Sequence, residues 1–205
     1  MPATYPRCDS PRGRTTLAVG LMLLSLLSGC GGTDDDTPRL FDLEGRETHP
    51  LSETGSRAIV FLFTRTDCPI SNRYAPEVER LRAELQPKGV TFWLVFPDPK
   101  ETAGAIRNHM REYGYGMEAL RDPEHRLVDL TGVRVTPEAA IFVPAPDAVH
   151  MVYRGRIDDR YLDFGSMRPE PTTHDVERVL NLVLSGGPVA YETTTAAGCF
   201  IPEIS

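Results

Sequence analysis

No two of the four cysteines are spaced C-x-x-C: Cys8, Cys30, Cys68 and Cys199 stand apart along 205 residues. A local dithiol is therefore excluded. Positive charge is also short. The formal net charge is −7, and losing residues 1–29, with three arginines and Asp9, takes it to −9. A surface this acidic argues against nucleic acid or an anionic membrane face as partner. Internal repeats and low-complexity blocks are missing. The apolar run at residues 17–27 (LAVGLMLLSLL) is too short to span a bilayer comfortably.

That run has the length of a signal peptide and follows Arg7, Arg12 and Arg14. It ends in Leu27-Ser28-Gly29-Cys30, which resembles a bacterial lipobox. The resemblance implies cleavage before Cys30, acylation of its sulfur and a place in the cell envelope facing the periplasm. Gly31 after the cysteine leans towards the outer membrane of a Gram-negative cell. An ordinary signal peptide ending in a chance cysteine is the plainer alternative. Residues 30–38, with Asp34, Asp35 and Asp36, read as a solvated tether, residues 39–185 as one domain, and residues 186–205 as a tail.

Two thiols remain in the mature chain, Cys68 and Cys199, in a compartment where disulfides persist. A structural bridge between them is the simplest pairing. Around Cys68 the sequence is FTRTDCPISNRYAP. An apolar run gives way to a cysteine, a proline and an amphipathic stretch. Ser71 stands where a dithiol loop carries its second cysteine.

The rest of the chain reads as alternating elements. Residues 58–64 (AIVFLFT) and 90–96 (VTFWLVF) are continuous apolar runs, as in strands buried on both faces. Residues 69–86 repeat apolar positions at Tyr74, Val78, Leu81 and Leu85, a helical face. Helices are also expected over 101–113, 125–130 and 172–184. Strands are expected over 118–121, 139–143 and 149–153, with a short hairpin near 39–46. Strand, helix, strand, inserted helix, hairpin and final helix make an α/β sandwich on a mixed sheet. The tail is expected to run over the surface, loose in the reduced state, until Cys199.

This order resembles the thioredoxin-like superfamily, in its redoxin branch of alkyl hydroperoxide reductase/thiol-specific antioxidant-like domains. Three features carry the resemblance: Cys68-Pro-Ile-Ser between the first buried strand and its helix, Pro76 eight residues after the cysteine, and Thr136-Pro137 opening a strand after Gly132-Val-Arg-Val. The resemblance covers about residues 39–185. It implies a three-layer sandwich on a mixed β-sheet with an inserted helix. It also implies a cis-proline at Pro137 that packs against the sulfur and presents the backbone at Thr136 to an incoming disulfide or peptide.

Cys68 would cap its helix, with Pro69 at the first helical position. Free N–H groups and the helix dipole favour a thiolate there, and Ser71 can add a hydroxyl. A small buried residue at a strand end is the alternative reading. With Ser71 in the loop, resolution falls to Cys199, to an outside thiol, or to nothing. Peroxiredoxins set Thr three residues and Pro seven residues before their reactive cysteine; here stand Arg65 and Phe61, which counts against a fast peroxidase. Arg154 or Arg156, in Tyr153-Arg-Gly-Arg-Ile-Asp-Asp-Arg160, is a candidate to steady the thiolate, although alternating charges usually mean a solvated loop. The sequence calls for no cofactor and no resident metal. Expected partners are protein or small-molecule thiols and disulfides, possible peroxide, and the membrane through the lipid. Two alternatives remain: a non-catalytic binding module, and a Sco-like copper-handling protein using both thiols with His125 or His150.

Overall fold

The computed structural model describes residues 40–52, 55–146 and 148–204, all within one compact unit spanning 36–205. The expected leader, the Cys30 lipid site and the tether lie outside the described residues.

A hairpin of β1 (Leu40–Phe41) and β2 (Glu47–Thr48) opens the domain. The two apolar runs form β3 (Ala58–Phe63) and β4 (Val90–Phe96), parallel and in register from Ala58↔Val90 to Phe63↔Val95. Every residue of β3 is buried. Its alternate side chains enter two separate cores, as the two faces of a pleated strand require. Val60 and Leu62 pack with α1 (Pro69–Leu85), α2 (Ala103–Tyr113) and α4 (Asp175–Leu184). Ile59, Phe61 and Phe63 pack with Leu127 of α3 (Arg126–Thr131) on the other face. Helices on both faces of one sheet give the expected three-layer α/β sandwich.

Further strands are β5 (Glu118–Arg121), β6 (Val135–Thr136), β7 (Glu138–Pro144) and β8 (Val149–Gly155). A small ribbon of β9 (Tyr161–Asp163) and β10 (Ser166–Met167) follows. The tail adds β11 (Glu192–Thr193) and β12 (Cys199–Phe200). The main sheet has the order β11-β8-β7-β3-β4-β5-β1-β2. β7 runs antiparallel to β3, and β8 antiparallel to β7.

The tail differs from the sequence expectation. From Glu192 to Ile201 it is docked although both thiols are free. β11 joins β8 in parallel, Glu192 opposite Tyr153 and Thr193 opposite Arg154. Thr194 then lies against Gly155: a Cβ at Gly155 would come within 2.6 Å of the Thr194 carbonyl oxygen. Thr194 Oγ1 hydrogen-bonds the Tyr153 hydroxyl at 2.6 Å and accepts from the Arg156 N–H at 3.1 Å. Each bond fixes the tail to the edge of β8 without needing an apolar run, so periodicity gives no sign of it.

The charged stretch after β8 differs too. It is not a solvated loop: Ile157, Asp158 and Asp159 are buried. Asp159 binds the Thr172 hydroxyl and accepts from the Thr172 and Thr173 N–H groups. Arg156 Nε meets Asp175 at 2.8 Å. The stretch ties α4 to the sheet.

Candidate active site

Cys68 is the N-cap of α1, with φ −85° and ψ 110°, and Pro69 follows it. The first helical bond runs from the Asn72 N–H to the Cys68 carbonyl at 3.0 Å. β3 ends at Phe63, so residues 64–67 are the hinge between a buried strand and the helix, and they carry the sulfur to the sheet's end. The hinge is held from several sides. Glu101 accepts from the Thr66 N–H at 2.6 Å. Asn72 Nδ2 donates to the Thr66 carbonyl at 3.2 Å, and His109 Nε2 pairs with Asn72 Oδ1 at 2.8 Å. Sequence reasoning missed Glu101 and His109. The spacing Ile106, His109, Met110, Tyr113 was the available signal, since it places the histidine on the inner face of α2.

The Thr136–Pro137 peptide is cis. β6 ends there, and its Thr136 carbonyl accepts from the Cys68 thiol at 3.0 Å. The tail meets β6 in an antiparallel ladder, Cys199 opposite Thr136 and Phe200 opposite Val135. The ladder extends to the Ile201 N–H on the Arg134 carbonyl at 3.0 Å. Arg65 Nη1 adds a bond to the Phe200 carbonyl at 3.1 Å. As a result the Cys199 sulfur lies 2.7 Å from the Cys68 sulfur, both as free thiols. Cys68 is 0% exposed beneath this strand, whereas Cys199 is partly exposed.

Electrostatics separate the two sulfurs. Burial pushes the Cys68 thiol up, but hydrogen bonds from Cys199, from the Ser71 hydroxyl and N–H, and from Thr136 outweigh it, so its pKa lies below the ordinary value. Apart from the Cys68 sulfur, the buried Ser71 and Thr136 hydroxyls have no hydrogen-bond partner. A buried unsatisfied hydroxyl needs a reason. An ionised Cys68 supplies one, since a thiolate accepts from both. Cys199 moves the other way: burial and then Cys68 push it up to about 12.

Arg154 is not on the sulfur. Its Nη1 donates to the Gly132 carbonyl and its Nη2 to Thr193 Oγ1 at 3.2 Å. Its Nε lies 3.8 Å from the buried Glu138 carboxylate. Arg154 therefore braces the far side of β6 and the tail. The copper-site geometry is absent among the described residues: no histidine joins Cys68 and Cys199 in a three-ligand group. His125 is spent on the Pro97 carbonyl at 2.9 Å.

No curated protein matches the chain. Solved structures do. An uncharacterized conserved protein from Geobacillus kaustophilus is 25% identical over 80% of this chain and 87% of its own, with a TM-score of 0.67. The MTB protein dsbF, solved in mixed oxidized and reduced forms, is 20% identical over 72% of this chain and 95% of its own, with a TM-score of 0.52. An uncharacterized thioredoxin-like protein from Porphyromonas gingivalis is 18% identical over 74% and 92%, also at 0.52. The latter two show the fold: a thioredoxin-like sandwich. The AhpC/TSA family profile matches residues 36–158, which hold Cys68 and the cis-proline but not Cys199; the chain belongs to the AhpC/TSA family of thioredoxin-like redoxin domains.

Proposed function

We propose that this chain is a thiol–disulfide oxidoreductase of the cell envelope, anchored through lipid on Cys30, whose redox centre is Cys68 with Cys199. One observation carries the reading: the C-terminal strand lays Cys199 against Cys68, at 2.7 Å, and so supplies the second thiol that Ser71 does not. Cys68, with its lowered pKa, is the nucleophile. Its thiolate attacks a substrate disulfide, forming a mixed disulfide and releasing one substrate thiolate. Cys199 then loses its proton to that thiolate or to water and attacks the Cys68 sulfur. The Cys68–Cys199 disulfide forms and the second substrate thiolate leaves with the electron pair. Two thiols are oxidised and one disulfide is reduced. An external thiol pair runs the cycle back.

A second reading, reduction of a small hydroperoxide, draws support from the burial of Cys68 under the docked tail, where a small oxidant enters more easily than a protein disulfide. The thiolate takes the terminal oxygen, giving a sulfenic acid and, after protonation, an alcohol or water. Cys199 condenses with the sulfenic acid and releases water.

Non-reducing peptide mapping after oxidation tests the centre. The expected product, from a small disulfide or from peroxide, is a single Cys68–Cys199 linked peptide. The Cys199→Ser variant should instead hold a mixed disulfide or a trappable sulfenic acid on Cys68. Absence of the linked peptide with every oxidant rejects Cys199 as partner. A bridge with a potential below about −300 mV makes it structural rather than catalytic.

A further inference from the structure

We propose that Glu77, Asp158 and His174 form a binding site for a transition-metal dication of the zinc class, apart from the two thiols. The three residues come from α1, from the stretch after β8, and from the N-cap of α4. Each turns one ligand atom towards the others, all within 4.8 Å of one another.

Asp158 is the fixed member. It is 1% exposed. Its Oδ1 accepts from the Tyr74 hydroxyl and from the Arg160 N–H at 2.9 Å. Its Oδ2 is buried with no hydrogen-bond partner. A buried carboxylate oxygen without a donor is expensive unless a cation faces it. Tyr74 supplies no positive charge, since a phenol can only be neutral or anionic, and its hydroxyl is turned to Oδ1 rather than Oδ2. Arg160 turns its guanidinium to Glu170, at 3.9 Å.

Glu77 and His174 are the adjustable members. Glu77 Oε1 lies 4.0 Å from His174 Nδ1. His174 holds the N-cap position of α4, yet its side chain caps nothing. Arg80 holds both Glu77 oxygens, Nη2 on Oε1 at 2.7 Å and Nε on Oε2 at 2.9 Å, but it is shared with Glu177 and Glu84, so a metal would take Oε1 from it. Glu84 has Lys88 as well, at 3.1 Å. Glu77, Glu84 and Glu177 therefore share one guanidinium, and a dication beside Glu77 restores the balance while Arg80 keeps Glu177.

One imidazole nitrogen and two carboxylate oxygens suit zinc, and related divalent metals, better than Cu(I) or calcium. Ligands about 2.1 Å from a tetrahedral ion stand about 3.4 Å apart, so the triad must close by about an ångström. Side-chain rotation of His174 and Glu77 provides that, and water completes the shell. The ion would clamp α1, which carries Cys68 at its N-cap, to α4 and the β8 exit. It takes no part in thiol chemistry.

Zinc itself is the probe, and the thiols must be removed as competitors. In the full chain with Cys8→Ser, Cys30→Ser, Cys68→Ser and Cys199→Ser, calorimetry should show one zinc bound and a raised melting temperature. His174→Ala, an exposed change, should weaken binding on the order of tenfold or more. Asp158→Asn should do the same, and His49→Ala should leave it unchanged. No zinc bound by the thiol-free chain, or undiminished binding in His174→Ala, overturns the proposal.

Discussion

Cys199 stands opposite Thr136 in the ladder that β12 makes with β6, and Thr136 is the residue before the cis-proline. The same Thr136 carbonyl accepts from Cys68. One backbone position therefore organises both sulfurs. The second thiol reaches the first as part of a strand, with its register set by hydrogen bonds, rather than by a mobile tail sampling the surface. A strand-held partner keeps little conformational freedom to lose when the disulfide closes.

Thiol titration by thiolate absorbance should give two separated steps in the reduced protein. Cys68 should ionise below its ordinary value of 9.0, and Cys199 near 12. The signs follow from the partners. The Cys68 thiolate is stabilised in the fold, so its contribution to stability is present above the unfolded value and lost as pH falls through the folded one. Cys199 holds its proton more tightly in the fold, so its contribution is lost as pH rises through about 12. Removing the Ser71 hydroxyl with Ser71→Ala should raise the lower step. An unchanged lower step in Ser71→Ala would show that the hydroxyl does not serve the sulfur.

The strands β3 and β4, the face of α1 and the N-cap position of Cys68 were legible because each is a local pattern. Burial on both faces gives a continuous apolar run, and Pro69 marks a helix start. The docked tail was not legible. β11 and β12 have two residues each, Glu192 is followed by three threonines, and the strands are held by edge hydrogen bonds that leave no periodicity. The contact between residues 68 and 199 is equally nonlocal, yet the pair itself was legible, because only two thiols are left in the mature chain. What was not legible is the strand that joins them. Only Gly198, next to Cys199, was a sign that backbone comes close. Asp158 and Asp159 misled because a charged string usually faces water; here neighbouring hydroxyls and N–H groups take the carboxylates inside.

Asp122 should give the fold a measurable pH dependence. Its carboxylate accepts from the Leu127 and Val128 N–H groups at the start of α3. Burial nevertheless raises its pKa from 3.8 to about 6, against the pull of those N–H groups and His125. A proton bound more tightly in the fold stabilises it below the unfolded value of 3.8, and that contribution is gone above about 6. The amount is at most about 3 kcal/mol, at 1.36 kcal/mol per unit. Urea melts at pH 4 and pH 7 should therefore differ less in Asp122→Asn than in the parent. An equal difference in both would place the titration elsewhere.

Membrane attachment should depend on Cys30. If the lipobox is used, Cys30→Ala blocks acylation and leaves an uncleaved precursor held by residues 17–27. Fractionation with palmitate labelling reads both effects. Normal maturation and release of the variant as soluble protein would mean that an ordinary signal peptidase acts here.

Gly198 decides how close the tail approaches. A Cβ there would stand 2.7 Å from the Thr136 carbonyl carbon and 3.2 Å from the Pro137 nitrogen. Both are backbone atoms of the turn that holds Cys68, so neither can yield as a flexible side chain would. Gly198→Ala should therefore push β12 off β6 and draw Cys199 away from Cys68. The overpacking is worth about 1–3 kcal/mol if the strand stays, and less if it lifts. Lifting should expose the Ile201 N–H, now on the Arg134 carbonyl, to faster hydrogen exchange. Disulfide closure should slow at least about tenfold, since a misplaced partner loses the advantage of proximity. Gly187→Ala is the control: its Cβ meets nothing nearer than 3.7 Å, and closure should proceed at the parent rate. If Gly198→Ala also closes at the parent rate, the two thiols meet through motion of the tail rather than through the β6 ladder.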